Sequence, residues 1–268
     1  MESKQPLVSI ITASYNSAAT LEQTIQSVLG QSYPHIEYII IDGASTDGTC
    51  EVIQKYAGQI SYWVSEPDRG IADAFNKGLQ KAQGKYIGII NADDWYESHA
   101  VQEAVRVLEE EPSAGYVFGD VVYCAQDGRD LYVKPGEADY EKGIVLSMPS
   151  IPHPTVFMRR EAYERYGGFS RQFAIAMDYE LLLRLHKQGV TGVHHPALRA
   201  YMRIGGVSDA QYMRGYAESL RIALFYGAPI SSALKVFLVK SLRTVLSRTL
   251  RKLGLLNFAR RLRQQMKV

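Results

Sequence analysis

Four short apolar runs, each divided from the next by a segment of helical periodicity, constrain the fold more than anything else in this chain. Leu7–Ser14, Ile36–Asp42, Ile60–Val64 and Tyr86–Ile90 are nearly continuous in apolar residues, the pattern of strands covered on both faces of a parallel sheet. Between them lie 20–31, 47–56 and 71–82. In the first, Leu21, Ile25, Val28 and Leu29 share a face, and Thr20 with Gln23 has the spacing of a capping box. Strands alternating with helices predict βαβ units, and such sheets bind ligands beyond the carboxyl ends of their strands, near a switch point.

The remainder is more varied. Residues 98–111 read as an amphipathic helix, 115–124 as a strand entering a polar hairpin at 126–129, and 148–154 as a ligand-side segment. A helix opens at Asp178, and 193–202 reads as closing strands. The expected class is α/β, a Rossmann-like, mostly parallel central sheet flanked by helices, with a C-terminal helical extension. A length of 268 residues allows one large domain with an appendage, divided here as 1–215 and 216–268. Cys50 and Cys124 form no CxxC pair and read as reduced thiols, which favours a cytoplasmic setting. Residues 1–6 do not resemble a signal peptide, and no uncharged apolar stretch reaches the ~18 residues of a membrane span.

Every predicted strand ends in polar residues: Thr12 to Asn16, Asp42 to Asp47, Glu66 to Arg69, and Asn91 to Asp94. The last is the most telling, because an apolar strand delivers two adjacent carboxylates, Asp93 and Asp94, to its carboxyl end. Hard cations such as Mg2+ take one or two carboxylates and fill the remaining positions with substrate phosphates and water. The alternative is a loop in which Asp94 or Ser98 caps the next helix. No G-x-G-x-x-G occurs, and Gly78 to Lys85 has neither the spacing nor the position of a P-loop. Diphosphate charge would then fall to a metal on Asp94, aided by Arg69 and Lys77.

In that order, Val8 to Asn16, Ile40 to Gly48, Asp68 to Gly78 and Asn91 to Asp94 resemble family 2 glycosyltransferases of the GT-A fold, nearest the branch that builds bacterial surface polysaccharide. The resemblance covers about residues 6–208. It implies an inverting glycosyltransferase of the hexosyl- or N-acetylhexosaminyl-transferring kind, with a nucleotide-sugar donor that the resemblance suggests is UDP-linked, and Mg2+ or Mn2+ as cofactor. Thr12, Tyr15 and Asp42 inherit the nucleotide base, with Asp42 accepting the imide N–H of uracil. Arg69 and Asp73 fall in the donor-binding motif, Asp93 meets ribose or metal, and Asp94 holds the metal. The family's DxD appears here as Asn91-Ala-Asp-Asp, and Ala72 stands where relatives carry Tyr.

Inverting transfer needs a carboxylate to deprotonate the acceptor hydroxyl. The resemblance points to Asp178, although Met177 and Glu180 depart from the family's acidic segment and Asp178 also reads as an N-cap. Glu180 is expected to pair with Arg184 on an exposed face. His153 falls where the family carries a His near the sugar-phosphate or acceptor, and also reads as a structural loop residue. Arg203, ahead of Gly205-Gly206, resembles the family's late loop over donor phosphates. Trp95 reads as an acceptor wall or, more simply, as packing, and His194-His195 as strand-end structure.

After Glu218 no acidic residue remains, whereas eleven Lys and Arg follow; against a net charge of +2, residues 1–218 therefore carry −9. On a helical wheel Leu234, Leu238, Leu242, Val245, Leu246, Leu250 and Leu253 share an arc opposite Lys240, Arg243, Arg248 and Arg251, while Lys235 and Lys252 break the pattern. This profile fits an interfacial helix on an anionic membrane, or a helix docked on the catalytic body with its basic face solvated. The expected partners are a nucleotide sugar, a saccharide or undecaprenyl-linked acceptor and the inner membrane face, with no nucleic acid. Two other functions stay open, a sugar nucleotidyltransferase and a nucleotide-sugar-binding scaffold without catalysis.

Overall fold

A computed structural model describes residues 5–252. The first ninety residues fold as the alternation demands: β1 (Val8–Ser14), α1 (Leu21–Leu29), β2 (Ile36–Asp42), α2 (Thr49–Lys55), β3 (Tyr62–Ser65), α3 (Ile71–Lys81) and β4 (Tyr86–Asn91). Then follow β5 (Trp95–Tyr96), α4 (Ala100–Glu110), β6 (Tyr116–Cys124), β7 (Asp130–Lys134), β8 (Phe157–Arg159), α5 (Arg160–Tyr166), α6 (Met177–Lys187) and β9 (Gly192–Arg203). The chain continues through α7 (Val207–Ala210), α8 (Tyr212–Phe225) and α9 (Ile230–Lys252).

All the strands join one sheet, ordered β3-β2-β1-β4-β8-β6-β9-β5, with β7 paired to β6. The first four are mutually parallel, and their register aligns their ends, with Ser65 beside Asp42, Asp42 beside Ser14, and Ala13 beside Asn91. Beyond β4 the sheet is mixed, because β8 runs antiparallel to both β4 and β6. The long β6–β9 pair is parallel and breaks register near Phe118 and Asp120. Gly119 fills that break, where a Cβ would lie 1.7 Å from the Leu198 carbonyl oxygen.

Side-chain alternation along the strands sends apolar groups to two cores. Ile10 and Ile40 pack with Leu21, Ile25 and Val28 of α1 and Val101 and Leu108 of α4. Ile11, Ile39, Ile41 and Ile89 pack with Phe75 of α3 and Leu181, Leu182 and Leu185 of α6.

Several local expectations are revised. Thr20 is the N-cap of α1, but its side chain makes no cap, and Gln23 instead reaches Arg203. Asp94 and Ser98 do not cap α4, whose N-cap is His99. Asp178 lies within the first turn of α6, after an Ala176 N-cap. The Glu180–Arg184 pair forms at 3.0 Å, yet Glu180 is buried, because α6 is covered on most of its sides. Helix α5 was not expected, and α8 opens the expected helical extension four residues early, so that the 215/216 boundary falls inside it.

Candidate active site

The carboxyl ends of β3, β2, β1 and β4 form one polar edge. Two loops there are laced together: the Asn16 amide N–H donates to Ser45 Oγ (2.8 Å), the Thr46 N–H to Asn16 Oδ1 (3.0 Å), and the Ala18 N–H to Asp47 Oδ2 (3.1 Å). Asn16 and Ala44 both adopt positive φ, 48° and 60°, to allow this. Against that hydrogen-bonded rim Tyr15 stands out, 66% exposed.

Asp42 is fully buried and densely bonded. Ser14 Oγ and Ser45 Oγ donate to Oδ1 (2.9 and 2.6 Å), and Ser65 Oγ and the Ser45 N–H to Oδ2 (2.7 and 2.9 Å). Burial alone would raise its pKa, but these donors outweigh it and hold the carboxyl below its ordinary value. An Asp42 oxygen that accepts a base N–H has to be accessible, and here neither is. Thr12 is likewise buried, its hydroxyl 3.1 Å from that of Tyr38. Asp73 accepts the Arg69 N–H (3.1 Å) and pairs with Arg171 (2.8 Å), while Lys77 is held by Glu66 (2.7 Å). Arg69 remains exposed.

Sequence reasoning passed over Asp68 as an individual candidate. A Cβ on Gly43 would meet Asp68 Oδ2 at 2.7 Å and Tyr15 Cδ2 at 3.3 Å, so a carboxylate and an exposed ring flank the same glycine backbone. The signal was present in the strand-end run Glu66 to Arg69, but nothing linear related it to Tyr15.

Asp93 and Asp94 leave the end of β4 in a turn closed by the Asp94 N–H on the Asn91 carbonyl (3.1 Å), and Thr24 Oγ1 of α1 donates to the Asp94 carbonyl (2.7 Å). The Asp94 carboxylate is buried and poorly paired: Asn91 Nδ2 approaches Oδ2 at 3.4 Å, and Oδ1 has no partner. Burial raises its pKa well above the ordinary carboxylate value, and the adjacent Asp93 charge adds to this; burial raises Asp93 also. Arg203 closes the turn from β9, donating from Nη1 to the Asp93 carbonyl (2.6 Å) and from Nη2 to Gln23. Its guanidinium lies 4.7 Å from the Trp95 ring, which also stacks on Tyr201 at 5.1 Å, so Trp95 is engaged in packing. A Cβ on Gly206 would lie 3.4 Å from Asp93 Oδ2, bringing the late loop against the carboxylate pair.

An unpaired, buried carboxylate oxygen beside a second carboxylate suits a divalent cation, whose binding displaces the proton that burial favours. Among the described residues no three His, Cys, Asp or Glu side chains gather into a site that could hold a metal by themselves. Such a site fits a cation that draws its remaining ligands from phosphate and water.

Asp178 and His153 share a second, small cavity of about 20 Å3, walled by Ile89, Met148 and Phe169 among others. Ile89 links it to the carboxylate turn, which leaves β4 two residues later. His153 stacks on Phe75 of α3 (centroids 5.4 Å apart). Burial lowers the His153 pKa against the pull of Asp178, and raises that of Asp178 against the pull of His153. A carboxylate so raised is the stronger base. The start of α6 is held by Glu218 of α8, which accepts the N–H groups of Ala174, Ile175 and Ala176 at 3.2, 2.8 and 3.0 Å. His194 and His195 pair with Asp120 and Glu103, both at 2.8 Å, as ties between β9 and its neighbours.

A Rossmann-like sheet with a two-carboxylate turn beyond its central strand defines the GT-A class of transferases. The sequence profile of glycosyl transferase family 2 matches residues 9–167, and the chain belongs to that family. A Bacillus subtilis protein named for teichuronic acid biosynthesis glycosyltransferase function is 39% identical over 134 residues, covering 49% of this chain and 53%, about half, of its own length. A Mycobacterium bovis PGL/p-HBAD biosynthesis glycosyltransferase is 25% identical over 229 residues, covering 82% of this chain and 87% of its own. Two solved structures share the fold. Staphylococcus aureus TarS with UDP has a TM-score of 0.63 and 16% identity, covering 85% of this chain and 68% of its own. The Pyrobaculum calidifontis mannosyltransferase PcManGT with GDP-Man and Mn2+ has a TM-score of 0.64 and 20% identity, covering 95% of this chain and 84% of its own.

Proposed function

We propose that this chain transfers a sugar, with inversion, from a UDP-linked donor to a saccharide or undecaprenyl-linked acceptor in bacterial cell-surface polysaccharide biosynthesis. The carrying observation is the buried, unpaired Asp94 oxygen beside Asp93 at the edge shared by β1, β2 and β4. Support for the donor comes from the UDP and GDP-Man named with the two solved structures, and for the pathway from the names of the relatives.

In this reading residues 1–215 form the catalytic unit and 216–268 a basic tail, with the chain cytoplasmic and peripheral on the inner membrane face. Tyr15 provides a stacking surface for the base and Asp68 an accessible carboxylate near it, while Asp42 and Thr12 keep the rim in shape from beneath. Asp94, with Asp93, holds Mg2+ or Mn2+, which when bound offsets the charge of the departing diphosphate. Arg203 and Arg69 add positive charge at the same edge, and Asp73 fixes the turn that presents Arg69. Asp178 accepts the acceptor hydroxyl proton as that oxygen bonds to the anomeric carbon and the carbon–diphosphate bond breaks. His153 sits beside Asp178 and tunes its basicity.

The test is thermal unfolding with UDP-sugars, with and without Mn2+, followed by turnover. Donor at about a hundred times its Kd stabilises the fold by ~2.7 kcal/mol, a Tm rise of roughly 5–10 °C for a chain of this size. The metal-dependent part of that rise is expected to vanish in Asp94→Ala. Asp178→Asn is expected to keep the rise and lose turnover. Absence of any metal-dependent rise would remove the donor reading, and full turnover by Asp178→Asn would assign the base elsewhere.

A further inference from the structure

Helix α9 is mounted on the body by the side opposite to the one its pattern suggests. Its contacts inward are Ala233, which is buried, Lys240, which donates to Ser147 Oγ (2.9 Å) and the Met148 carbonyl (3.2 Å), and Thr244, 2.8 Å from the Tyr216 hydroxyl. Arg248 pairs with Asp209 further along. The leucine arc faces outward: Leu238, Leu242 and Leu246 are 61, 69 and 55% exposed, and Leu234 is exposed at their head. Ile230, at the start of α9, and Phe225, at the end of α8, extend the strip and are 67 and 80% exposed. A helix on a protein that meets only water turns its apolar stripe to the core. Here the exposed stripe runs along about 24 Å of helix, from 230 to 246 at ~1.5 Å per residue.

We infer that this outward face, from Phe225 through Leu246, is the surface by which the chain lies on an anionic phospholipid bilayer, its leucines in the headgroup–acyl boundary. Charge selects the occupant. Lys235 is exposed within the strip, and Arg243, one residue on from Leu242, is exposed at its flank and not opposite it as the wheel suggested; the sequence from 219 onward holds no acid to answer them. A second copy of the same strip would bring cation against cation, as would residues 253–268, whose charged side chains are all basic. Anionic headgroups satisfy both the apolar and the basic features. The Lys240 contacts give the attachment a use, because they bind α9 to the loop that runs from Ser147 to His153 and so fix the orientation of that loop to the lipid surface.

This inference gives a face to the membrane attachment proposed above, but its deciding readout, vesicle flotation, needs no donor or acceptor. The full chain is floated with phosphatidylcholine vesicles and with vesicles also containing phosphatidylglycerol. Wild type is expected to float with the anionic vesicles, less with the neutral ones and less in high salt. Leu238→Glu with Leu242→Glu is expected to raise the lipid concentration for half-binding about a hundredfold, from two lost apolar anchors and two added negative charges. Because both positions are exposed, Tm and donor-induced stabilisation should not change. Equal flotation of the variant, or no flotation of wild type, overturns the inference. So does a wild-type dimer that this variant converts to a monomer, which assigns the strip to a second copy. Loss of donor stabilisation with flotation intact counts against the transferase reading alone.

Discussion

Replacing Glu218 tests how the start of α6 is built. Its carboxylate is buried, with 5% of the residue exposed, and accepts three successive amide N–H groups as well as Arg214 Nε at 3.0 Å. No side chain caps α6 from its own N-cap, so Glu218 serves that end from another helix. Glu218→Ala strands several donors near a helix terminus. Loss of a cap costs ~1–2 kcal/mol, and removal of one partner from a buried charged cluster ~3–5 kcal/mol. These overlap, and a total of ~3–5 kcal/mol corresponds to a Tm fall of roughly 6–20 °C at this chain length. The charge matters separately. Burial would raise the Glu218 pKa, but the amides and Arg214 outweigh it and hold it below the ordinary value. Stability from this group is therefore full above the unfolded glutamate value of ~4.3 and is lost as pH falls through the folded value. The difference between wild type and Glu218→Gln should be largest near neutrality and close on acidification, measured by urea unfolding followed by circular dichroism across pH. A cost below ~1 kcal/mol for Glu218→Ala, or a Gln gap that ignores pH, refutes the reasoning.

Two further outcomes are expected. Burial raises Asp94, so the sign is reversed there: stability is full below the unfolded aspartate value of ~3.9 and is lost as pH rises through the folded one. In chelator, Asp94→Asn should thus gain on wild type as pH increases from acid to neutral, and a gap that shrinks with rising pH contradicts the assignment. Gly119→Ala places a methyl carbon 1.7 Å from a backbone oxygen that cannot move without breaking the β6–β9 pairing. It should cost more than ~3 kcal/mol in denaturant midpoint or prevent folding, and an unchanged midpoint would show that the register break is pliable.

The parallel half of the sheet was legible because β1, β2 and β4 are covered on both faces and so are written as continuous apolar runs. The Asp93-Asp94 turn was legible for the complementary reason, being polar where the strand pattern stops. The fates of Thr12 and Asp42 were not, since strand residues near a ligand edge point inward or outward according to a register that neighbours impose. Gln23 has the spacing of a capping box, but Arg203, distant in sequence, takes its side chain. The charged residues of α5 left little periodicity to read, and the narrow buried stripe of α8, around Glu218 and Ile222, gave no sign of where the helical extension begins. For α9 the two faces were visible in the sequence, but which one docks depended on polar partners at Ser147, Tyr216 and Asp209.

Arg203 joins the last long strand to the Asp93 main chain and to the first helix, across sequence separations of 110 and 180 residues. The stretch that matches the family profile, 9–167, ends before Asp178, Arg203 and Glu218 are reached. The profile thus covers the platform, and the parts that fasten and finish it lie beyond the matched stretch. A fragment cut at the family boundary would carry both neighbouring aspartates without their clasp, and transplanting specificity between relatives means moving the fastening along with the floor.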